Sequence, residues 1–477
     1  MSSAGWRGLS AFQWFALACG LAAAGSLIWI RPDLIAPLLV AGAAATFLAV
    51  SSWRVALVIL SARPAGRRDP AAASEPPPYT VLVALHDEAE VMDQLVERLA
   101  RIDYPQDRLQ GLLILEAHDT PTITAALAAR RPAWLEVFVA PPGRPRTKPR
   151  ALNCALPHVT GELLTVYDAE DEPDPLQLRE AAARFAADAD GRLACLQAPL
   201  RIRRMHRGLH ASPFLDRQFA AEYASLFETA LPGMARLGLP FPLGGTSNHF
   251  RVDVLRDVGG WDAFNVTEDA DLGFRLWARG WRLGVIARPT WETPPGDLSD
   301  WLPQRARWLK GYMQTWGVHT RRPWRLGARG VFALTMTVGA GVVSASVNGP
   351  SLAWVTATVL VAAMAGLPPQ TPALALSVLI LGAASAWLSC AIGARRAGVP
   401  YGPTDMIAAP AYWALQSLAA LHAGWRLVRE PFAWDKTRHR RDAPVSATAP
   451  ATAHAALDET APNRLSAGHA AAPQPVA

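Results

Sequence analysis

The sequence predicts an α/β domain, a mainly parallel sheet with helices on both faces, flanked by transmembrane α-helices. Three observations carry this. Uncharged runs of about 20 residues, enough to cross a bilayer core, lie on both sides of a charged middle. The middle alternates short apolar runs with stretches of helical periodicity. Of the 477 residues 51% are apolar and only 18% charged, below the roughly 25% of a typical soluble protein. That balance, with a formal net charge of only +6, argues against a disordered or nucleic-acid-binding chain. The four cysteines have no C-x-x-C spacing, so neither a disulfide framework nor a zinc site is indicated.

Residues 1–62 hold two spans. Ser10 to Ile30 and Leu34 to Trp53 carry no charge. A second apolar run follows the first at once, which disfavours a signal peptide. Residues 63–78 form a Pro-rich, semi-rigid linker. Residues 79–326 are the central domain, and residues 327–430 hold about four further spans. Gly330 to Ala394 runs 65 residues without a charge. That is room for three helices of about 20 residues, with breaks at Asn348-Gly349-Pro350 and Pro368-Pro369-Gln370. Met406 to Trp425 supplies the fourth. Arginine clusters after span two, before span three and after span six place the central domain on the cytoplasmic side. Arg395 and Arg396 then fall outside, against the rule. Residues 431–441 are a basic juxtamembrane segment, and 442–477, rich in Ala, Pro, Ser and Thr, read as a disordered tail.

In the central domain, Val81–Leu85, Gly111–Leu115, Leu135–Ala140, Leu163–Tyr167 and Leu193–Ala198 read as strands with helices between them. This order predicts a parallel sheet, whose ligands bind beyond the carboxyl ends of the strands. Those ends are acidic: His86-Asp-Glu88, Glu116-Ala-His-Asp119 and Asp168-Ala-Glu-Asp171. Clustered carboxylates need cations or hydrogen-bond donors between them. Mg²⁺ or Mn²⁺ holding phosphate oxygens suits hard oxygen ligands. Helix capping is the competing reading for Asp87 and Asp119. No G-x-G-x-x-G follows the first strand and no P-loop motif exists, which disfavours a dehydrogenase or P-loop NTPase.

Asp168-Ala-Glu-Asp171, Thr267-Glu-Asp269 and Gln304-Arg-Ala-Arg-Trp308, in this order between membrane spans, resemble the membrane-embedded family 2 glycosyltransferases. That group includes the cellulose and hyaluronan synthases. The likeness covers about residues 78–316. It implies a GT-A-like sheet and nucleotide-sugar contacts from Glu116 or Asp119, Lys148, Asn153 and Asp168. The metal ligands would be Asp168 and Glu170, with Asp171 as the alternative. Asp269 would be the general base. Glu268, Gln304, Arg307 and Trp308 would lie along the acceptor and pyrophosphate. Gly244-Gly-Thr-Ser-Asn248 resembles the loop on the acceptor side.

The expected function is inverting, divalent-metal-dependent transfer from a nucleotide-diphosphate sugar to a growing polysaccharide at the inner membrane. Transfer of one sugar to a lipid carrier is the close alternative, and a degenerate glycan- or nucleotide-binding scaffold the second. The expected partners are the nucleotide sugar, the polysaccharide or lipid-linked acceptor and membrane lipids, without nucleic acid. Only three of 46 Lys plus Arg are lysine: Lys148, Lys310 and Lys436. The first two mark places where a compact ammonium fits and a planar guanidinium does not.

Overall fold

A computed structural model describes residues 9–62, 75–203, 212–366 and 373–433. Most of the Pro-rich linker, the break expected at Pro368–Gln370, Lys436 and the tail lie outside the described residues. Two long helices come first, α1 (Ala11–Ile30) and α2 (Ile35–Ser61). The central domain then runs β1 (Tyr79–Leu85), α3 (Met92–Leu99), β2 (Leu109–Glu116), α4 (Thr120–Ala128), β3 (Leu135–Ala140), α5 (Lys148–Ala155) and β4 (Leu163–Tyr167). It continues with β5 (Glu172–Pro173), α6 (Gln177–Ala186), β6 (Leu193–Gln197), β7 (Leu200–Ile202), α7 (Pro213–Ser225) and α8 (Leu231–Arg236). After these come β8 (Asn248–Arg251), α9 (Val252–Asp257), α10 (Glu268–Ala278), β9 (Arg282–Val285), β10 (Thr290–Glu292) and α11 (Leu298–His319). The last helices are α12 (Gly327–Leu334), α13 (Ala340–Met364), α14 (Ala373–Ala397) and α15 (Pro403–Arg429).

The main sheet has the order β3-β2-β1-β4-β8-β6-β9. β1 is buried on both faces, as a central parallel strand must be. Tyr79, Val81, Val83 and Leu85 pack with α3 and α6, while Leu82 faces the opposite cluster with α5. The GT-A-like class therefore holds, with all five expected strands present. The mainly parallel sheet has one antiparallel member. β6 does not pair with β4, because β8 inserts between them, antiparallel to both. Its sequence, Asn-His-Phe-Arg, lacks an apolar run, yet His249 is fully buried. Its ring pairs with the Tyr79 hydroxyl at 2.6 Å and Gln177 Oε1 at 3.2 Å. Paired polar groups are cheap to bury, so the strand is invisible to hydropathy. A small second sheet, β5-β10-β7, stands beside the Asp168–Asp171 turn.

Among the described residues, four helices are long and apolar enough to cross a membrane: Ala11–Ile30, Val40–Ser61, Gly327–Met364 and Ser377–Ala397. The uncharged block thus holds two long helices where three were expected. α12, a π-helical stretch (Thr335–Gly339) and α13 form one rod that runs through Pro350. The reason is local. Gly349 N–H donates to Ser417 Oγ (2.8 Å), and that hydroxyl donates to the Ala345 carbonyl (2.5 Å). A neighbouring hydroxyl thus replaces a backbone bond one residue before the proline, a repair that lets proline persist in apolar helices. Pairing the helices this way also removes the charge conflict. Arg396 at the end of α14 donates to Ser61 Oγ at the end of α2 (2.8 Å) and to the Glu228 carbonyl (2.7 Å). It therefore lies on the side of the central domain.

The expected span at Met406–Trp425 forms one helix, α15, which is not among these four. α15 starts and ends against the central domain. Asp405 accepts from Arg217 of α7 at 2.7 and 2.5 Å. At the other end Lys310 Nζ of α11 donates to the carbonyls of Glu430 (3.1 Å) and Ala433 (2.8 Å). Ile407, Leu418, Leu421, Trp425 and Val428 form an exposed stripe along it.

Candidate active site

The carboxyl ends of β1, β2 and β4 open into a cavity of about 570 Å³ that continues between α2, the α7–α8 segment, α11 and the α12–α13 rod. β4 ends in Tyr167, and the chain turns through Asp168-Ala-Glu-Asp171. Asp168 and Glu170 line the cavity. Lys148, the first residue of α5, pairs its ammonium with Asp168 Oδ1 and donates to the Gly245 carbonyl at 2.7 Å. Burial alone would lower the Lys148 pKa, but Asp168 and Glu268 outweigh it and the group stays firmly charged.

Across the cavity, Thr267 caps α10, so Glu268 and Asp269 sit in its first turn, where the helix dipole favours carboxylates. Burial is the larger influence. It pushes Asp269 up to about 6, against the pull of the Ala270 N–H, Lys148 and Arg307. Burial and the adjacent Asp269 push Glu268 up to about 8. Gly245 joins the two walls: a Cβ placed there would lie 3.5 Å from Asp269 Oδ2. Gln304, Arg307 and Trp308 of α11 complete this side. Burial pulls the Arg307 pKa down, while Glu268, Asp269 and Asp168 hold its charge. Trp308 stacks on Phe219 with centroids 6.0 Å apart and planes at 29°. Beneath it, Arg305 pairs with Glu222 at 2.9 and 2.6 Å and lies 4.7 Å from the Trp308 ring. Arg305 thereby fixes the helix that presents Arg307 and Trp308.

The cavity therefore brings together Glu116, Lys148, Asp168, Glu170, Glu268, Asp269, Gln304, Arg307 and Trp308. Three expected residues are placed otherwise. Asn153 donates to the Trp261 carbonyl (2.6 Å) and accepts its N–H (3.0 Å), so its amide pins a turn and does not line the cavity. Asp119 caps α4 at Thr122 N–H (3.3 Å) and accepts Asp87 N–H (2.5 Å). These bonds hold its pKa down although burial opposes them. It follows the capping reading, and Glu116 is the acid of this pair on the cavity wall. Asp171 is fully buried behind the turn, where one oxygen accepts from Asp168 N–H (2.7 Å) and from the Thr246 hydroxyl. Its other oxygen has no partner among the described residues. Burial first, then Asp168 and Glu170, drive its pKa well up, and its bonds hold the turn that carries Asp168. Asp171→Asn keeps both accepted bonds and is expected to hold transfer activity within about twofold. Asp168→Asn is expected to lose about 10²-fold or more. Initial rates of both variants decide which acid serves the site.

The sequence reading missed Glu292. It ends β10, lines the cavity and has its pKa driven up by burial and by Asp171, Glu170 and Asp168. A lone Glu in Thr-Trp-Glu carries no local signal. Glu222, Tyr312 and Arg54 also line the cavity and were missed. Lys310 serves the end of α15 and does not line the cavity.

The donor set suits a hard divalent cation: Asp168 and Glu170 offer carboxylate oxygens beside open space. Among the described residues no three His, Cys, Asp or Glu side chains cluster as a ready-made cage. Mg²⁺ commonly uses one or two carboxylates and takes its other ligands from substrate phosphates and water, so the residues fit the ion.

Paired carboxylates, an ammonium and a guanidinium around one cavity at the strand ends are the equipment of a group-transferring enzyme acting on an anionic donor. The profile for glycosyl transferase family 2 matches residues 80–230, and that for glycosyl transferase family group 2 matches residues 163–388. The chain carries a family 2 glycosyltransferase domain. It is 27% identical over 249 residues to β-monoglucosyldiacylglycerol synthase of Synechocystis, covering 50% of each protein. It is 25% identical over 258 residues to the UDP-forming catalytic subunit of cellulose synthase 1 from Komagataeibacter xylinus, covering 52% of this chain and 32% of that one. The chain thus spans half or less of the length of these curated relatives. Among solved structures, a mannosyltransferase of Pyrobaculum calidifontis, determined with GDP-mannose and Mn²⁺, aligns at TM-score 0.48 and 17% identity, over 81% of this chain and 98% of that one.

Proposed function

We propose that the protein transfers a sugar, with inversion, from a nucleotide-diphosphate sugar to a hydroxyl of an acceptor held at the cytoplasmic face of the cell membrane. The observation that carries this is the single cavity in which Asp168, Lys148, Asp269 and Arg307 converge. Asp168 and Glu170 would hold a divalent ion, which when bound neutralises the diphosphate leaving group. Arg307 supports the same charge from α11. Asp269, half-buried and ionised above about pH 6, takes the acceptor proton. Trp308 offers an aromatic face for the apolar side of a sugar ring. One displacement without a covalent enzyme intermediate inverts the anomeric carbon, so an α-linked donor gives a β-linked product.

The sequence alone favours a polysaccharide acceptor. The shape of the cavity favours the alternative, a lipid. Among the described residues its lining reaches no deeper than Val50 on α2, Ser344 on α13 and Ser389 on α14. At the helical rise, about 22 Å of α2, 30 Å of α13 and 24 Å of α14 lie beyond those points. The walls at this depth include Trp53, Leu57, Phe227 and Met336, a surface suited to a chain drawn from the near leaflet. The similarity to a glucosyldiacylglycerol synthase supports this order. The polymer reading keeps one specific support, the polar groups Arg54, Thr229, Ser389 and Gln416 on the same walls. Membranes carrying the protein, incubated with a panel of labelled nucleotide sugars, are expected to place label in the organic phase of a solvent extraction. Label confined to a water-soluble or insoluble polymer would restore the polysaccharide reading.

A further inference from the structure

The cavity has a neighbour at its membrane end. A groove of about 350 Å³ is lined by Trp53, Leu237, Leu239, Ala328, Arg329 and Phe332. Trp53 lines both the groove and the catalytic cavity, so one side chain separates them. Its ring meets Phe332 edge-on, with centroids 4.9 Å apart. Its indole Nε1 is buried and has no acceptor among the described residues. A partition without a hydrogen bond gives up little when it changes rotamer.

The wall behind the partition is irregular in the same region. Both described π-helical stretches, Leu226–Ala230 and Thr335–Gly339, contribute lining residues to the cavity. Such stretches interrupt regular helix packing and recur at functional sites. At the rim, Arg329 donates to the carbonyls of Leu237 and Gly238, which fixes one bank of the groove to α12. The groove is therefore apolar inside, cationic at its edge and built on two helices apolar enough to lie in a bilayer. That pattern matches a lipid, with chains inside and the anionic headgroup layer at the rim.

We propose that this groove is a lateral port, through which a membrane lipid with a free hydroxyl enters the catalytic cavity from the adjoining leaflet, with Trp53 as the movable partition. The inference rests on the lipid-acceptor reading and adds its route. A base at Asp269 calls for a hydroxyl acceptor of glycerolipid or glycolipid type, since a lipid phosphate would already be ionised. The acceptor oxygen bonds to the anomeric carbon as the bond from that carbon to the diphosphate oxygen breaks. The bonding electrons leave with the nucleoside diphosphate, and the hydroxyl proton passes to the Asp269 carboxylate.

The test uses the full chain in lipid nanodiscs doped with a diazirine-bearing diacylglycerol. Photolabel is expected on peptides containing Leu237–Leu239 and Phe332. Ala328 is exposed in the groove, so Ala328→Trp fills it without disturbing a core. That variant should lower labelling and raise the lipid KM, each about tenfold, while nucleotide affinity stays unchanged. Ala328→Phe, a smaller plug, should give a smaller effect in the same direction. It replaces the Trp variant if that one loses nucleotide binding. Labelling unchanged in both variants, or confined to other helix faces, overturns the port. Glycolipid formed at wild-type KM in the plugged variants rejects the route and leaves the acceptor reading intact. Groove labelling that the plugs block, with polymer as the sole product, keeps a lipid port but rejects lipid as acceptor, and so overturns the proposal as stated.

Discussion

Asp269→Asn is expected to lower kcat by about 10²–10⁴-fold, the range in which a positioned general base acts, while nucleotide affinity changes less than about twofold. The asymmetry follows from placement. Asp269 stands in the first turn of α10 and lines the cavity with Gln304 and Trp308, where in the proposed reading it meets the acceptor. Folding should not suffer, because the substitution removes one of two adjacent buried acids. The sharper readout is pH. Burial raises the Asp269 carboxyl to about 6, and a base works only when ionised. The wild-type rate should therefore rise with pH through about 6 and be lost below it. Glu268, near 8, titrates next to it, so the observed values belong to the pair. In Asp269→Asn the limb near 6 should vanish from the residual activity. A limb near the ordinary carboxylate value, or one that survives the substitution, would move the base elsewhere.

The legible and illegible parts of this molecule differ in a physical way. The central strands β1 and β2 were readable because burial on both faces leaves no alternative to continuous Val, Leu and Ile. β8 was not, because its burial is balanced by Tyr79 and Gln177, residues far away in sequence. The same holds in the site. Asp168, Asp269 and Arg307 lie in local motifs, and the fold gathers them. Glu292 and Glu222 owe their place to long-range contacts that leave no local trace. Asn153 and Asp171 show the converse: both occupy motif positions, yet Trp261 takes up the Asn153 amide, and Asp168 N–H with Thr246 takes up one Asp171 oxygen. The break expected at Asn348-Gly349-Pro350 is absent from α13 for a related reason. Hydropathy sees Pro350 as a break, while Ser417, on another helix, repairs the backbone around it.

Lys148→Met is expected to cost about 1–3 kcal/mol of stability, because it leaves the half-buried Asp168 carboxylate without its ammonium, and to reduce transfer by about 10³-fold or more. The ammonium is the cation shared by Asp168 and Glu268, and it anchors the Gly245 carbonyl beside Asp269. Removing it should also move the acid limb of the pH profile upward, because Lys148 is one of the groups that lower the Asp269 pKa. Lys148→Arg separates charge from shape. A guanidinium restores the positive charge, so thermal stability and the position of the limb should return most of the way. It cannot place one tetrahedral nitrogen against both Asp168 Oδ1 and the Gly245 carbonyl, so kcat should stay about 10-fold or more below wild type. In a chain that uses arginine at nearly every other basic position, near-normal kcat in Lys148→Arg would mean that the lysine is incidental, and that Asp168 needs only a nearby positive charge.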